Sequence, residues 1–352
     1  MIDLSELLKE MLSASGLSGF EGPIREIIKK HWEPLTDELS VSKIGSLHGL
    51  KRGQGAEPRH RVLISAHMDA IGMMVTEIHE GLLRITEIGG IDHRILPGQP
   101  VLVHGREALP GVVVQPPSHL LPESVGDGPV EMKYLFVDVG LRPEDVKEKV
   151  RVGDTVSYAQ QPLDLTGEAM AGHTLDNRVS VAATTLCLEM LQNRLHDWDV
   201  WAVASVQEEE TLGGAFTSPF EIKPDLAIVI DVCFAEGPGS NDWSSLPFGK
   251  GVGIGYGPNI HPALYDAFEA KAKALEIPYN RDLMPKMSGT DAMAVQIVAE
   301  GIPCAVIGIP LRYMHTPVET VSLKDVRRAG RLMAEFIADL TPDTLNQIRW
   351  EE

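Results

Sequence analysis

The sequence predicts an α/β fold: a mixed, mostly parallel sheet flanked by helices, interrupted by a small all-β domain of PDZ-like or barrel type. Three observations predict it. Short apolar runs at 61–66, 200–206, 226–230 and 305–309 alternate with segments of helical period, the texture of buried parallel strands joined by helices. Each of those runs leads into an acidic or histidine motif, and sites in such sheets form beyond the carboxyl ends of the strands. Between the first and second runs the texture changes to short alternating segments punctuated by Gly, Pro and charge, which is how a separate β domain reads.

Leu4, Leu7, Leu8, Met11 and Leu12 recur at helical spacing, so the chain opens with a helix. Ser18-Gly19-Phe20-Glu21-Gly22-Pro23 reads as a turn, a second helix covers 24–32, and a strand pair falls within 39–51. The first buried strand then delivers His67 and Asp69. After Gly72, the runs 73–78 and 82–88 flank His79-Glu80-Gly81 as a β-hairpin, and short strands are expected near 100–104, 111–115, 135–139 and 155–158. The α/β pattern resumes near Gly167, with helices expected over 179–195, 262–275, 290–300 and 323–340. Residues 1–72 and 164–352 are thus expected to form one discontinuous domain, with 73–163 inserted into it.

The chain has 352 residues, 43% of them hydrophobic, ample for a large core and two domains. A net charge of -19 argues against a nucleic-acid surface and for solubility. Cys187, Cys233 and Cys304 show no CxxC spacing and suit a reducing compartment better than a disulfide framework. Cys233 itself reads as a small buried residue. The first residues carry no basic segment ahead of an apolar core, and no apolar stretch is long enough to span a bilayer. A soluble, cytoplasmic protein with neither nucleic-acid nor membrane partner is expected.

The motifs point to metal chemistry. His67, Asp176, Glu209, Asp231 and His315 offer imidazole nitrogens and carboxylate oxygens, which suit borderline divalent ions without a thiolate. Asp176 can bridge two ions because each of its oxygens can bind one. His67 and Asp231 would complete one shell, Glu209 and His315 the other. Paired ions about 3.5–4 Å apart clamp an attacking oxygen and a polarised carbonyl. Asp69, two residues after His67, can orient the imidazole. Glu208 would point away from Glu209 on a regular strand, but a turn at the strand end brings both to the cavity; it is the candidate general base. Taken singly, each residue has a plainer reading: Asp176 as a helix N-cap, Glu208-Glu209-Glu210 as a solvated acidic turn, His315 as a loop histidine. The set as a whole favours two complete shells. His173 stays a loop residue, and His93, His104 and His119 have no partner motif.

These residues resemble the M42 family of metallo-aminopeptidases, the glutamyl/deblocking or tetrahedral type. The motifs that match are Ser65-Ala66-His67-Met68-Asp69-Ala70-Ile71-Gly72, Leu175-Asp176-Asn177-Arg178, Val206-Gln207-Glu208-Glu209, Ile230-Asp231-Val232, Ser288-Gly289-Thr290-Asp291-Ala292 and Arg312-Tyr313-Met314-His315-Thr316-Pro317-Val318-Glu319. The resemblance implies a zinc-peptidase-like fold, the five ligands above with Asp176 bridging, Glu208 as catalytic base, Asp69 as orienting residue and a cis peptide at Asp176-Asn177. M20-type relatives carry their extra domain after the glutamate pair and M28-type relatives lack a β domain at this point, so the early insertion selects the M42 pattern. Three positions depart from it: Glu210-Thr211 stands where an apolar residue and glycine are usual, Val232-Cys233-Phe234 where threonine and histidine are common nearby, and Gly45-Ser46 where glycine-asparagine is usual.

The resemblance implies a metal-dependent aminopeptidase releasing N-terminal residues from short peptides with two zinc or cobalt ions. It also implies a homo-oligomer, from dimer to tetrahedral dodecamer, assembled through the β domain. Ser288–Ala292 is expected to line the cavity, its helix N-terminus offering backbone donors. Two other classes compete. An endoglucanase-like glycosidase would use paired carboxylates but leaves His67 and His315 without a role. A non-catalytic scaffold would be expected to lack ligands or base, and none is lacking.

Overall fold

Asp3 starts the first helix, its carboxylate accepting hydrogen bonds from the N–H groups of Ser5 and Glu6. That helix, α1 (Leu4–Leu12), buries all five apolar residues that define its spacing. Pro23 sits in the first turn of α2 (Gly22–Trp32), where a missing N–H costs nothing. The expected strand pair is β1 (Glu38–Val41) and β2 (Leu47–Lys51), antiparallel, followed by β3 (Arg61–His67). The computed structural model describes residues 2–125, 128–240 and 242–348.

After β3 the chain enters a closed barrel. Its strands are β4 (Gly72–His79), β5 (Leu82–Ile88), β6 (Pro100–His104), β7 (Ala108–Val114), β8 (Phe136–Asp138) and β9 (Thr155–Tyr158), closing in the order β4-β5-β8-β7-β6-β9. Glu80 and Gly81 both have positive φ, the turn a two-residue hairpin prefers. Alternate residues point inward, among them Met73 and Val75, Leu83 and Ile85, Val101 and Val103, giving the barrel its own apolar core. A short helix, α3 (Pro143–Lys149), was not foreseen: it buries only Val146, so its sequence shows no helical stripe.

The chain rejoins the large sheet at β10 (Leu163–Leu165) and β11 (Ala169–Gly172), then forms α4 (Leu175–Leu191), β12 (Asp199–Ser205), α5 (Gly213–Ile222), β13 (Leu226–Phe234), β14 (Val252–Tyr256), α6 (Pro262–Ala274), β15 (Tyr279–Leu283), α7 (Ala292–Val295), β16 (Cys304–Arg312), β17 (Glu319–Ser322) and α8 (Leu323–Ala338). The sheet is mixed and eleven-stranded. Its centre, β12-β3-β13-β16, is parallel, and antiparallel strands extend it on both sides. Helices cover both faces. On β2, His48 bonds Ser218 of α5 at 2.9 Å, while a side chain at the adjacent Gly49 would meet Trp32 of α2 at 3.2 Å. Neighbouring strand residues face opposite ways, so α2 and α5 lie on opposite faces.

Two expectations change. The helix foreseen over 290–300 is only α7, four residues long, ending in turns before Gly301. Strand β13 does not stop at Asp231 but runs on through Phe234, because Val232, Cys233 and Phe234 stay paired with β16. No helix among the described residues is long and apolar enough to cross a membrane.

Candidate metal centre

The parallel centre of the sheet brings His67 and Asp231 side by side. His67 is the last residue of β3, and Asp231 lies on the neighbouring β13. Their side chains approach to 3.7 Å. Glu208 and Glu209 follow β12, beside β3 on its other edge. Gln207 adopts φ 60°, and this left-handed residue bends the chain so that both glutamates line one cavity. Asp176 and Asn177 interrupt the start of α4 with non-helical φ/ψ, and the peptide between them is cis. His315 arrives on the loop after β16, at φ 62°.

Asp176 stands between the two imidazoles. Its Oδ1 lies 3.2 Å from His67 Nε2 and its Oδ2 lies 3.4 Å from His315 Nε2. Glu209 completes the second side, with Oε2 3.4 Å from His315 Nε2. One potential ligand atom each from His67, Asp176 and Glu209 falls within a sphere of contacts no longer than 4.8 Å. Glu208 is set slightly back, its Oε2 3.8 Å from His67 Nε2.

Backbone carbonyls set the tautomers. His67 Nδ1–H donates to the Asp69 carbonyl at 3.1 Å, and His315 Nδ1–H donates to the Gly90 carbonyl at 2.8 Å. A carbonyl only accepts, so both protons sit on Nδ1 and both Nε2 lone pairs face carboxylate oxygens. That arrangement is favourable only with a cation between, either a proton or a metal ion. The donor set of imidazole nitrogen and carboxylate oxygen fits a divalent ion such as zinc or cobalt.

The electrostatics agree. Burial, reinforced by neighbouring carboxylates, pushes Glu208 up to about 7 and Glu209 up to about 8. Asp231 is driven well above the usual carboxylate range by burial, with Glu208 and Asp176 adding to it. Against the cost of burial, His315 and His67 hold Asp176 well below that range. Too many acids share too few cations, the imbalance that bound divalent ions relieve.

Two buried carboxylates hold the backbone of the candidate ligands, each on its own pair of residues. Asp69 accepts from the N–H of Glu208 at 3.0 Å on Oδ1 and from that of Glu209 at 3.2 Å on Oδ2. The imidazole of His67 bonds the backbone carbonyl of Asp69 and lies 3.6 Å from its carboxylate Oδ1, and that same carboxylate fixes the glutamate turn. Glu319, the first residue of β17, does the same for the other pair: Asp176 N–H donates to its Oε2 at 3.0 Å and His315 N–H to its Oε1 at 2.9 Å. Glu319 closes the His315 motif without a role predicted from sequence; its spacing of four residues from His315 is the only signal for it. Asp291 was likewise unassigned. It is buried, with Oδ2 accepting from Ser65 and Ser205 at 2.6 Å each.

The centre opens on a cavity of about 510 Å³. Ser288, Gly289 and Thr290 do line it, though with no long helix behind them. Cys233 is half-buried in the cavity wall rather than enclosed in the core, because β13 continues past the metal centre. His173 is buried beside Tyr158, outside the cluster, and burial pulls its imidazole down to about 3.

A family model described as M42 glutamyl aminopeptidase matches residues 45–332. The lysyl aminopeptidase of Pyrococcus furiosus is 34% identical over 343 residues, covering 96% of this chain and 97% of that protein. The solved TET aminopeptidase of a marine sediment archaeon, Thaumarchaeota archaeon, superposes with a TM-score of 0.93 at 32% identity, over 98% of this chain and 99% of that one. The TET1 peptidase of Pyrococcus horikoshii, which can assemble into a tetrahedron or a large octahedral shell, superposes with a TM-score of 0.84 at 29% identity, over 96% of this chain and 100% of that one. Whole-chain likeness in sequence and in fold, joined to an acid-and-imidazole centre at the sheet's carboxyl edge, places this chain in the M42 family of aminopeptidases.

Proposed function

We propose that this chain removes N-terminal residues from short peptides with two divalent cations, zinc or cobalt, held by His67, Asp176, Glu209, Asp231 and His315. One observation carries the reading: the two oxygens of Asp176 face two different imidazoles, each with its Nε2 lone pair turned inward. His67 and Asp231 make one half of the centre, Glu209 and His315 the other. When bound, such a pair polarises the scissile carbonyl and acidifies water.

The chain's own residues supply the proton traffic. Glu208 lines the cavity beside the centre, set back from the proposed ligands, where its carboxylate can take a proton and return it. It accepts a proton from the water that attacks the carbonyl carbon. As the C–N bond breaks, it passes that proton to the leaving nitrogen. The acidic groups around the cavity also suit the substrate's free α-ammonium group, which confines cleavage to a chain end.

The barrel is proposed as the inserted, self-associating domain, with residues 73–163 against 1–72 and 164–352. Its closed sheet and separate apolar core support that division. A tetrahedral dodecamer built from dimers is proposed on the likeness to the Pyrococcus horikoshii peptidase. A hollow assembly would admit peptides and exclude folded proteins. The three cysteines form no disulfide, which suits the cytoplasm.

The test is hydrolysis of aminoacyl chromogenic substrates by protein stripped with a chelator and then given back zinc or cobalt. Activity should vanish on stripping and return on add-back. Full turnover by stripped protein would overturn the proposal, and chelator-insensitive cleavage of a β-glucan would favour the glycosidase reading instead.

A further inference from the structure

Glu209 and His315, the two proposed ligands of one half of the centre, both stand in turns. Their counterparts His67 and Asp231 stand on paired strands, β3 and β13. His315 is itself left-handed at φ 62°, and Glu209 comes two residues after the left-handed Gln207. Asp69 and Glu319 each hold one of these turns by its backbone N–H. A further contact ties the two turns to each other.

That contact comes from the barrel. Gly89 and Gly90 follow β5, and the Gly89 N–H donates to Oε1 of Glu210 at 2.6 Å. The Gly90 carbonyl accepts from His315 Nδ1–H at 2.8 Å. Glu210 is the residue after Glu209. The connection therefore runs from Glu209 through Glu210, Gly89 and Gly90 to His315. It straps together two proposed ligands whose own Oε2 and Nε2 lie 3.4 Å apart.

The loop is shaped for this role. Gly89 has φ 74°, and a Cβ on it would lie 2.6 Å from the Ile71 side chain. A Cβ on Gly90 would lie 3.2 Å from His315 Nδ1, so glycine lets the carbonyl come up to the ring without crowding it. Ile88 and Ile91 flank the pair and are buried, Ile91 in the barrel's apolar core. The barrel sets where the loop stands, and Glu210 sets the loop against the glutamate turn. An apolar side chain at position 210 would offer the Gly89 N–H no acceptor. This is one of the positions where the chain departs from the family pattern.

We infer that Glu210 is a positioning residue for His315: by fixing the Gly89-Gly90 loop it holds the imidazole with Nε2 towards the proposed ion. The barrel is then a working part of the metal centre. The inference rests on the two-cation reading and deepens it.

The experiment measures zinc affinity of the full chain by competition with a chelator of known affinity, for wild type, Glu210→Ala and Glu210→Gln. Glu210→Ala should bind zinc about twofold to about tenfold more weakly, the range for one net hydrogen bond. Glu210→Gln keeps an acceptor oxygen at the same reach and should restore most of the affinity. Gly90→Ala, which crowds His315 directly, should also weaken zinc. Combined with Glu210→Ala, it should cost less than the two effects multiplied, because both act through one loop. Wild-type zinc affinity in Glu210→Ala overturns the inference. Equal losses in Glu210→Ala and Glu210→Gln also overturn it, since the charge and not the bond would then matter. Thermal unfolding of the stripped variants is the control for fold, and a loss of stability with affinity kept counts against the role. These outcomes sink this inference alone; a wild type that binds no zinc sinks the two-cation reading and the inference with it.

Discussion

Replacing Glu319 with glutamine tests whether the proposed ligands depend on a residue outside the proposed metal shell. Asp176 and His315 both sit on irregular backbone. Thr174 has φ 60°, the 176–177 peptide is cis, and Tyr313 and His315 have φ 59° and 62°. Neither residue has regular ladder or helical backbone geometry, and the carboxylate of Glu319, 2% exposed, accepts from both of their N–H groups. A glutamine amide has only one acceptor oxygen, so one buried N–H loses its partner. That costs about 1–3 kcal/mol. If the cost falls on holding the ligand, metal affinity drops about fivefold to about 140-fold, at 1.4 kcal/mol per decade. Alanine would orphan both N–H groups at about 2–6 kcal/mol, comparable with the whole stability of many domains, so glutamine is the cleaner probe.

The assay is competition for zinc against a chelator of known affinity, with thermal unfolding of the stripped protein as a control. Glu319→Gln should bind zinc more weakly by that factor and recover turnover at saturating zinc. Unchanged zinc affinity in a folded variant would refute the reasoning. So would a variant that loses thermal stability in the stripped state while keeping its affinity, since Glu319 would then serve only the fold.

Other outcomes follow from the same geometry. Glu208→Gln should lower kcat by about 10²- to 10⁴-fold while metal content stays the same; retained turnover would remove it from proton transfer. Asp282 carries a carboxyl raised by burial from 3.8 to about 6. A raised folded-state value means that its contribution to stability is complete below about pH 4 and is lost as pH rises through 6, amounting to about 3 kcal/mol. Stripped Asp282→Asn should therefore gain on wild type in thermal stability between pH 5 and pH 7.5, and a constant difference would contradict the raised, buried carboxyl. Glu210→Ala removes an exposed bond of 2.6 Å to the Gly89 N–H. Global stability should change by under about 1.5 kcal/mol, with faster hydrogen exchange at Gly89 as the visible effect. Light scattering after size exclusion should show an assembly larger than a dimer, and a strict monomer would refute the assembly proposal.

What could be read from the sequence was what burial writes into it. The strands ending at His67 and preceding Glu208 are continuous apolar runs because both faces of the sheet are covered. Helices α1 and α8 show their stripes for the same reason. Helix α5 escaped notice because it begins with Gly213 and Gly214 and contains Pro219, which mask its period, and α7 was overextended because its apolar residues continue into turns. Strands β14 and β15 were missed: Gly253 and Gly255 interrupt one, and Asn280, Arg281 and Asp282 occupy the other. That gap hid Asp282, since a charged residue in an unrecognised strand reads as surface loop.

The proposed metal ligands stand out in the sequence because their side-chain chemistry is the signal. Asp69 and Glu319 act on backbone N–H groups, and every residue but proline has one, so no residue type marks their partners. Arg178 is harder still. It is wholly buried, its Nη1 donates to the carbonyls of Met11 and Ala14, and its Nε and Nη2 have no partner. Burial pulls it down to about 9, and the opposing pull comes from Asp69 and Glu319, the same two carboxylates that hold the ligand turns. One cation behind the centre thus shares its field between both anchors. Arg178→Met would leave both buried acids without that counter-charge, which raises the cost of keeping each ionised. Zinc affinity should then fall more than in Glu319→Gln, because both turns loosen at once. Competition with the same chelator decides it, and a smaller fall than in Glu319→Gln would show that the anchors hold without their shared counter-charge.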